Sequence, residues 1–514
     1  MIYLNDKIGG FYLDEQQQAI VVDNSRYLLV VAGAGSGKTL TILGKINYLV
    51  KYKNVSPEEI LCISFTRAAS NSLKEKIKRD LNITIDVYTF HKLSLEILKT
   101  FDYQIAEPNL LVILVDEFFD NYILNSEMHL KLFLNYFNVY CYDNVKTCYL
   151  NYIKSREKEI KNLKRLIITF IHLFKCNNYK LEDFNNFLIR AKKDFLNIHY
   201  KQEIILLIFI LNIYILYENY LGDNNEIDFD DMIIRATNVV KRTGFGRKIK
   251  YIIIDEYQDT SLIRFLLIKE ILLKTKSNLL VVGDDFQSIY KFTGCDLSLF
   301  LNFQNYFDNA KIMKIENTYR NSQELISIAG DFIMKNHNQI NKKLRSNKHI
   351  DKPIKLIIYK DIIKSFTNLV LRIFYENRKP ILVLGRNNND IKSVLDDNWY
   401  VDENKIIYKL DKSVNIYYLT IHKSKGLEEE NVIIINLKDD TLGFPSKIKN
   451  HRIMRFISND YEKYPYAEER RLFYVALTRT KNNVYLLVPK KNKSIFILEL
   501  LRDFRKKIKI IKNL

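Results

Sequence analysis

Residues 27–53 place the first constraint on the fold. Tyr27-Leu28-Leu29-Val30-Val31-Ala32 is an unbroken apolar run, followed by Gly33-Ala34-Gly35-Ser36-Gly37 and then a helical pattern from Lys38 to about Tyr52. A strand without polar alternation is buried on both faces, as in a parallel sheet covered by helices. The unit recurs at Ile60–Phe65, which leads into a helical pattern near Ala68–Arg79. Further short apolar strands are predicted at Tyr251–Ile254, Leu279–Val282, Ile381–Leu384 and Val432–Asn436. The fold class is therefore α/β, with parallel sheets. Residues 93–221 carry helical periodicity and many aromatics, and read as a helical insertion in a first α/β domain made of residues 1–92 and 222–310. Strand–helix alternation resumes beyond, which predicts a second α/β domain over 311–514.

The turn after the first strand has chemistry of its own. Ala32-Gly33-Ala34-Gly35-Ser36-Gly37-Lys38-Thr39 matches a P-loop, with Ala32 in place of the first glycine. Small residues let successive backbone N–H groups face phosphates at a helix N-terminus, where the dipole favours anions. Lys38 is positioned to reach the β- and γ-phosphates of ATP, and Thr39 to hold Mg²⁺. Such a site needs an acid at the end of a neighbouring strand. Asp255-Glu256 after Tyr251–Ile254 supplies it, with Asp255 on the metal shell and Glu256 polarising the attacking water.

The chain carries 79 Lys and Arg against 60 Asp and Glu, a net charge of +19, which attracts polyanions and makes nucleic acid the leading partner. None of the five cysteines forms a C-x-x-C pair. That pattern predicts reduced thiols, a cytoplasmic setting and no zinc or iron–sulfur cluster. The first residues, Met1 to Asp6, lack the pattern of a secretory leader. The longest apolar run, Ile204–Tyr217, is interrupted by Asn212 and predicts a buried helix rather than a membrane span.

Further motifs, in order along nearly the whole chain, resemble those of superfamily 1A DNA helicases of the UvrD/Rep/PcrA group, with the closest likeness to helicase IV. Leu13-Asp14-Glu15-Gln16 resembles the Q motif. Ile63-Ser64-Phe65-Thr66-Arg67 and Thr89-Phe90-His91 resemble strand-contacting motifs. Gly283-Asp284-Asp285-Phe286-Gln287-Ser288-Ile289-Tyr290, Glu316-Asn317-Thr318-Tyr319-Arg320, Thr420-Ile421-His422-Lys423-Ser424-Lys425-Gly426-Leu427-Glu428 and Glu468-Glu469-Arg470-Arg471-Leu472-Phe473-Tyr474-Val475-Ala476-Leu477-Thr478-Arg479 resemble motifs III to VI. The helicase IV likeness rests on Lys291–Ser298 and on Gly443-Phe444-Pro445.

The resemblance implies two RecA-like domains, 1A and 2A, with a helical insertion, 1B. It implies that Gln16 reads the adenine edge, Tyr319 stacks on adenine and Glu428 binds the ribose. It makes Gln287 a γ-phosphate sensor, and Arg320 and Arg479 the arginines that stabilise the transferring phosphoryl group. Phe65, Thr66, His91, Tyr290, Phe292 and His422 become contacts to the DNA strand. The chain departs from the group at Leu40 and at Phe292-Thr293, where relatives carry arginine and Trp-Arg. Fewer than thirty residues between Arg386 and Val414 leave no room for the large 2B insertion. The implied function is a monomeric, 3′-to-5′ ATP-dependent DNA helicase or single-strand translocase, working on single-stranded or tailed duplex DNA in repair, recombination or defence. The alternative is an ATPase that displaces proteins from DNA. No membrane partner is expected.

Overall fold

The computed structural model describes residues 6–142, 144–458 and 462–512. Residues 1–5, read above for a leader, lie outside the described residues. The chain opens with strands β1 (Tyr27–Ala32), β2 (Ile60–Ile63) and β3 (Val87–Tyr88). A two-residue parallel ladder of β4 (Gln104–Ile105) and β5 (Glu226–Ile227) then closes the neck of a helical excursion. The chain re-enters the sheet with β6 (Tyr251–Ile254), β7 (Asn278–Gly283) and β8 (Lys311–Ile315). The first sheet is all parallel, in the order β3-β2-β6-β7-β1-β8.

Alternate residues of its strands feed two separate cores. Leu29, Val31, Leu61, Ile63, Ile252 and Ile254 face one, while Leu28, Val30, Cys62, Ile253, Leu280 and Val282 face the other. Both sets are apolar because helices cover both faces.

The second sheet holds β9 (Ile354–Tyr359), β10 (Ile381–Gly385), β11 (Trp399–Asp402), β12 (Lys405–Tyr408), β13 (Ile416–Thr420), β14 (Glu429–Ile434), β15 (Thr480–Pro489) and β16 (Lys509–Lys512). Its order is β11-β12-β13-β10-β14-β15-β9-β16. Only the β11–β12 and β12–β13 pairings are antiparallel. The segment between β10 and β13 therefore carries a small hairpin on the sheet edge.

Two expectations need correction. The second α/β domain is expected to begin at residue 311, yet strand β8 pairs with β1 from Leu28↔Lys311 to Ala32↔Ile315 and ends the first sheet. Cys141 and Cys148 are joined as a disulfide rather than being free thiols. Cys141 lies between helices Glu127–Tyr136 and Val145–Ser155 and Cys148 in the first turn of the second, with their Cα atoms 6.1 Å apart. The apolar run at 204–217 lies in a helix, as expected, which extends over 24 residues, Tyr200–Asp223, and by length and composition alone could cross a membrane. Half of its most apolar window is buried, packed through Leu206, Phe209, Ile210 and Ile213 into the insertion's core.

That core also receives Ile453, Met454, Phe456 and Ile457 from beyond the second sheet's β14. Arg455 anchors the same turn to Asp194 at 2.7 Å and Glu203 at 2.6 Å. The insertion is fixed to the first α/β unit by Lys175 at the end of helix Glu157–Cys176. Its buried ammonium lies 2.7 Å from Asp228, 2.9 Å from Asp231 and 2.9 Å from Glu218. Asp228 in turn caps helix Phe229–Thr243, accepting from the Asp231 amide at 2.7 Å. Burial alone would disfavour the Lys175 charge, but the three carboxylates outweigh it and hold its pKa well above the ordinary value. Replacing Lys175 with Met leaves those carboxylates facing each other without a cation. Removing one partner of such a buried group costs about 3–5 kcal/mol, so Lys175→Met should lower the urea midpoint sharply, read by far-ultraviolet circular dichroism.

Candidate active site

The phosphate turn is shaped by its glycines. Gly35 and Gly37 have φ of +70° and +78°, the left-handed region that a side chain resists. Gly37 is also the N-cap of helix Lys38–Lys53, so the first free amides of that helix open onto the turn. Ala32 is the last residue of β1 and fully buried, a position where a methyl group fits. Gly33, Ala34 and Ser36 complete the turn, and the Ser36 hydroxyl is buried without a hydrogen-bond partner. Thr39 is the second residue of the helix. Gln17, which the sequence did not single out, braces the turn: its Nε2 donates to the Ser36 carbonyl at 3.1 Å.

The acids stand where β6 ends. Glu256 has φ +54° and turns its carboxylate toward Lys38, whose Nζ lies 2.8 Å from Oε1. Gln258 donates to the other Glu256 oxygen at 2.6 Å, and Asp255 accepts from the Glu256 amide at 2.9 Å. Burial raises the Asp255 pKa, and the neighbouring Glu256 carboxylate adds to the rise. Burial also penalises Glu256, but Lys38 and Lys425 outweigh it and hold its pKa low.

After β7, Asp284 is buried and accepts from Gln287 Nε2 at 2.6 Å. Lys342 pairs with both Asp284 and Asp285, the latter at 2.6 Å, with its ammonium 3.5 Å from the Phe286 ring centroid. Nothing in the local pattern around Lys342 signals this role, since it stands in a polar stretch between β8 and β9.

The second α/β unit reaches this turn directly. Thr318 Oγ1 donates to the Ala34 carbonyl at 2.7 Å, and the Tyr319 amide to the Gly35 carbonyl at 3.0 Å. A Cβ on Gly35 would lie 2.5 Å from Cβ of Arg320. Arg320 Nε donates to Glu428 at 2.6 Å, and Lys481 holds the other Glu428 oxygen at 3.3 Å. Arg479 is buried, donating to the carbonyls of Val475 and Leu427 at 3.0 and 3.2 Å and to Gln287 Oε1 at 3.3 Å. Burial and the Arg320 charge push its pKa down to about 9. Lys425 bridges the units by pairing with Asp259 and donating to the Gln287 carbonyl at 2.8 Å. Arg471, not chosen from sequence, does the same through Ser288, donating to its carbonyl at 2.6 Å. Tyr319 is 63% exposed and donates to Asp14 at 2.7 Å, while Gln16 Oε1 accepts from the amides of Glu316 and Asn317 at 2.8 and 3.4 Å. Gln16 and Tyr319 thus share one side of the turn, with the carbonyl of Gln16 already engaged.

The strand-contact candidates fall into two groups. Tyr290, Phe292 and His422 cluster across the two units. Tyr290 donates to the His422 carbonyl at 2.9 Å, and the Phe292 ring lies 5.6 Å from the imidazole. Phe292 is 57% exposed and is the open ring of this group. Phe65, Thr66 and His91 lie on the first unit. Phe65 is half-buried against Phe90 with Arg264 4.6 Å above its ring, so much of its surface is committed to packing. The Thr66 hydroxyl caps helix Arg67–Leu81, and His91 packs edge-on against Phe229. Burial pushes both His91 and His422 down to about pKa 4, so both are neutral at pH 7 and can offer hydrogen bonds but no charge.

Residues 13–308 match the UvrD/REP helicase N-terminal domain, and residues 401–491 match the UvrD-like helicase C-terminal domain. The chain is 27% identical over 508 residues to DNA helicase IV of Escherichia coli (strain K12), a match covering 96% of this chain and 70% of that protein. It is 30% identical over 498 residues to ATP-dependent DNA helicase Rep of Buchnera aphidicola subsp. Schizaphis graminum, covering 94% and 65%. Against a probable DNA helicase of Mycoplasma pneumoniae it is 27% identical over 495 residues, covering 93% and 83%. Rep is thus spanned over less than two thirds of its length. With the N-terminal match extending over more than half of its residues, the chain belongs to the UvrD/REP helicase family.

Proposed function

We propose that the chain is an ATP-driven motor that moves 3′ to 5′ along single-stranded DNA and separates duplexes as a DNA helicase. The reading rests above all on one observation. Arg320 and Arg479, from the second α/β unit, lie against the phosphate turn and Gln287 of the first. Hydrolysis then depends on how the two units sit together, which is what a motor needs. The relatives' names, all DNA helicases, support the same activity.

The donor set fits a nucleotide with Mg²⁺. The turn offers left-handed glycines, an unpartnered buried hydroxyl on Ser36, and Lys38. Thr39 and Asp255 would hold Mg²⁺, which when bound neutralises phosphate charge. The chain's own residues then act by exchange. Lys38 leaves Glu256 for the phosphates, and the freed Glu256 carboxylate orients the attacking water. Arg320 likewise leaves Glu428 for the phosphoryl group, and Glu428 is released toward the ribose. Arg479 reports on the same charge through Gln287. On the strand side Phe292 offers an open ring for base stacking, which is indifferent to sequence.

Three outcomes test this reading. Lys38→Ala should lower ATPase turnover by roughly 10²–10³-fold, as loss of one charge-stabilising donor does. Arg479→Ala should lower it by about 10³-fold or more. Both variants should keep the fold by circular dichroism, and normal turnover in either would overturn the site. The second outcome concerns pH. Asp259, which anchors Lys425 across the units, is pushed up to about 6 by burial, and Asp255 is raised in the same sense. Both lose negative charge as pH falls through that region, well above the ordinary aspartate value of about 3.9. ATPase activity should therefore decline as pH drops through about 6, while the fold, whose raised carboxyls bind protons readily, does not lose stability through these groups. The third is an unwinding assay. Single-stranded DNA should stimulate turnover, and a 3′-tailed duplex should be separated where a 5′-tailed one is not. A second reading is protein displacement. It predicts stimulated ATPase and removal of a bound protein block, with neither duplex opened.

A further inference from the structure

His172, Cys176 and Asp230 converge beneath the loop that carries Phe292. His172 and Cys176 lie one turn apart on helix Glu157–Cys176 of the insertion, and Asp230 lies on helix Phe229–Thr243 of the first α/β unit. His172 Nδ1 is 2.8 Å from Asp230 Oδ2, and Cys176 Sγ is 3.4 Å from Asp230 Oδ1. The sulfur is 3.7 Å from the nearer His172 ring nitrogen, Nε2, and 3.9 Å from Nδ1. One donor atom from each residue falls within 4.8 Å of the others. A tetrahedral zinc ion with bonds of about 2.0–2.3 Å places its donors roughly 3.3–3.6 Å apart, so the thiol and carboxylate need little movement and the His–Asp contact need open only slightly.

We propose that His172, Cys176 and Asp230 form a three-residue zinc site that joins the helical insertion to the first α/β unit. The charges match: a thiolate and a carboxylate neutralise a divalent cation, with a neutral imidazole as the third donor. On binding, Cys176 releases its proton to solvent, its sulfur gives an electron pair to the metal, and a ring nitrogen of His172 gives another. Imidazole and thiolate together favour a borderline-soft ion such as Zn²⁺ over Mg²⁺ or Ca²⁺. The His172 side chain is 43% exposed, which opens the fourth position to water. Cys176 and Asp230 are buried, which shields the remaining bonds. Gly294, with φ +82°, packs its backbone onto the thiol: a Cβ there would lie 2.6 Å from Cβ of Cys176. The site therefore braces the segment Lys291–Gly294 as well as the two helices. No C-x-x-C spacing announces this site, because its donors are a histidine and a cysteine four apart and an aspartate far along the chain.

Cobalt(II) serves as the probe. The purified full chain, stripped with a chelator, should bind one equivalent of Co²⁺ with a thiolate-to-cobalt charge-transfer band and tetrahedral visible bands, and added Zn²⁺ should abolish both. Cys176→Ser should lose the charge-transfer band, while Cys62→Ser and Cys295→Ser keep it. His172→Gln alters a half-exposed side chain and should fold by circular dichroism yet lose tight binding. One equivalent of Zn²⁺ should also raise the thermal midpoint of the chain but not of Cys176→Ser. The absence of a charge-transfer band at stoichiometric cobalt, or a band unchanged in Cys176→Ser, would overturn the proposal.

Discussion

The contact between Gly35 and the Thr318–Arg320 segment is the constraint on which the cleft depends. It is made by two bonds to the turn's backbone: the Tyr319 amide donates to the Gly35 carbonyl, and the Thr318 hydroxyl donates to the Ala34 carbonyl. It is possible only because residue 35 has no side chain. Each such hydrogen bond contributes about 0.5–1.5 kcal/mol net. That is enough to register the two units and small enough to be broken and remade. The guanidinium of Arg320 is placed by this contact, and Arg479 is held behind it by the carbonyls of Val475 and Leu427.

Most cations of the cleft already have an acid partner. Lys38 has Glu256, Arg320 has Glu428, Lys425 has Asp259 and Lys342 has Asp284 and Asp285. An anion entering the site therefore exchanges partners instead of meeting bare buried charges, whose desolvation would be costly. Arg479 differs. Among the described residues no carboxylate pairs with it, and its pKa is pushed down to about 9. A buried guanidinium held only by neutral acceptors is the group with most to gain from negative charge that develops nearby.

The parts of this arrangement legible in sequence are those fixed by local pattern. The unalternated runs Tyr27–Ala32 and Tyr251–Ile254 gave strands with those same limits, because burial on both faces leaves no polar position. The sheet that Lys311–Ile315 joins is not legible in sequence, because it is an edge strand with exposed lysines and nothing local distinguishes the two sheets. Lys342 and Gln17 were missed for a related reason. Their roles come from partners 57 and 19 residues away, and no spacing announces them. Asn212 interrupts the apolar run 204–217 in sequence but does not leave a polar group unsatisfied in helix Tyr200–Asp223. The Asn212 amide is satisfied by His129 at 3.0 Å, inside the insertion. Phe65 shows the converse. Its type suited a stacking platform, but Arg264 and Phe90 occupy much of its surface.

In the motor proposed above, one short stretch of chain, Gln287 to Phe292, would link nucleotide and strand. Gln287 accepts from Arg479 and sits on Asp284, at the nucleotide end. Ser288 gives its carbonyl to Arg471 of the second unit. Tyr290 reaches the carbonyl of His422, also of the second unit, and Phe292 presents an open ring beside it. Lys425 spans the same stretch, donating to the Gln287 carbonyl with its ammonium 5.0 Å from the Tyr290 ring. A change in how the second unit sits at Gln287 cannot leave Tyr290 and Phe292 where they were, because the same few residues carry both sets of contacts. Coupling here needs no long pathway through the core. It needs only that two packed units share one short, heavily bonded segment, whose one end, in the proposed motor, answers to phosphate charge while the other faces the strand.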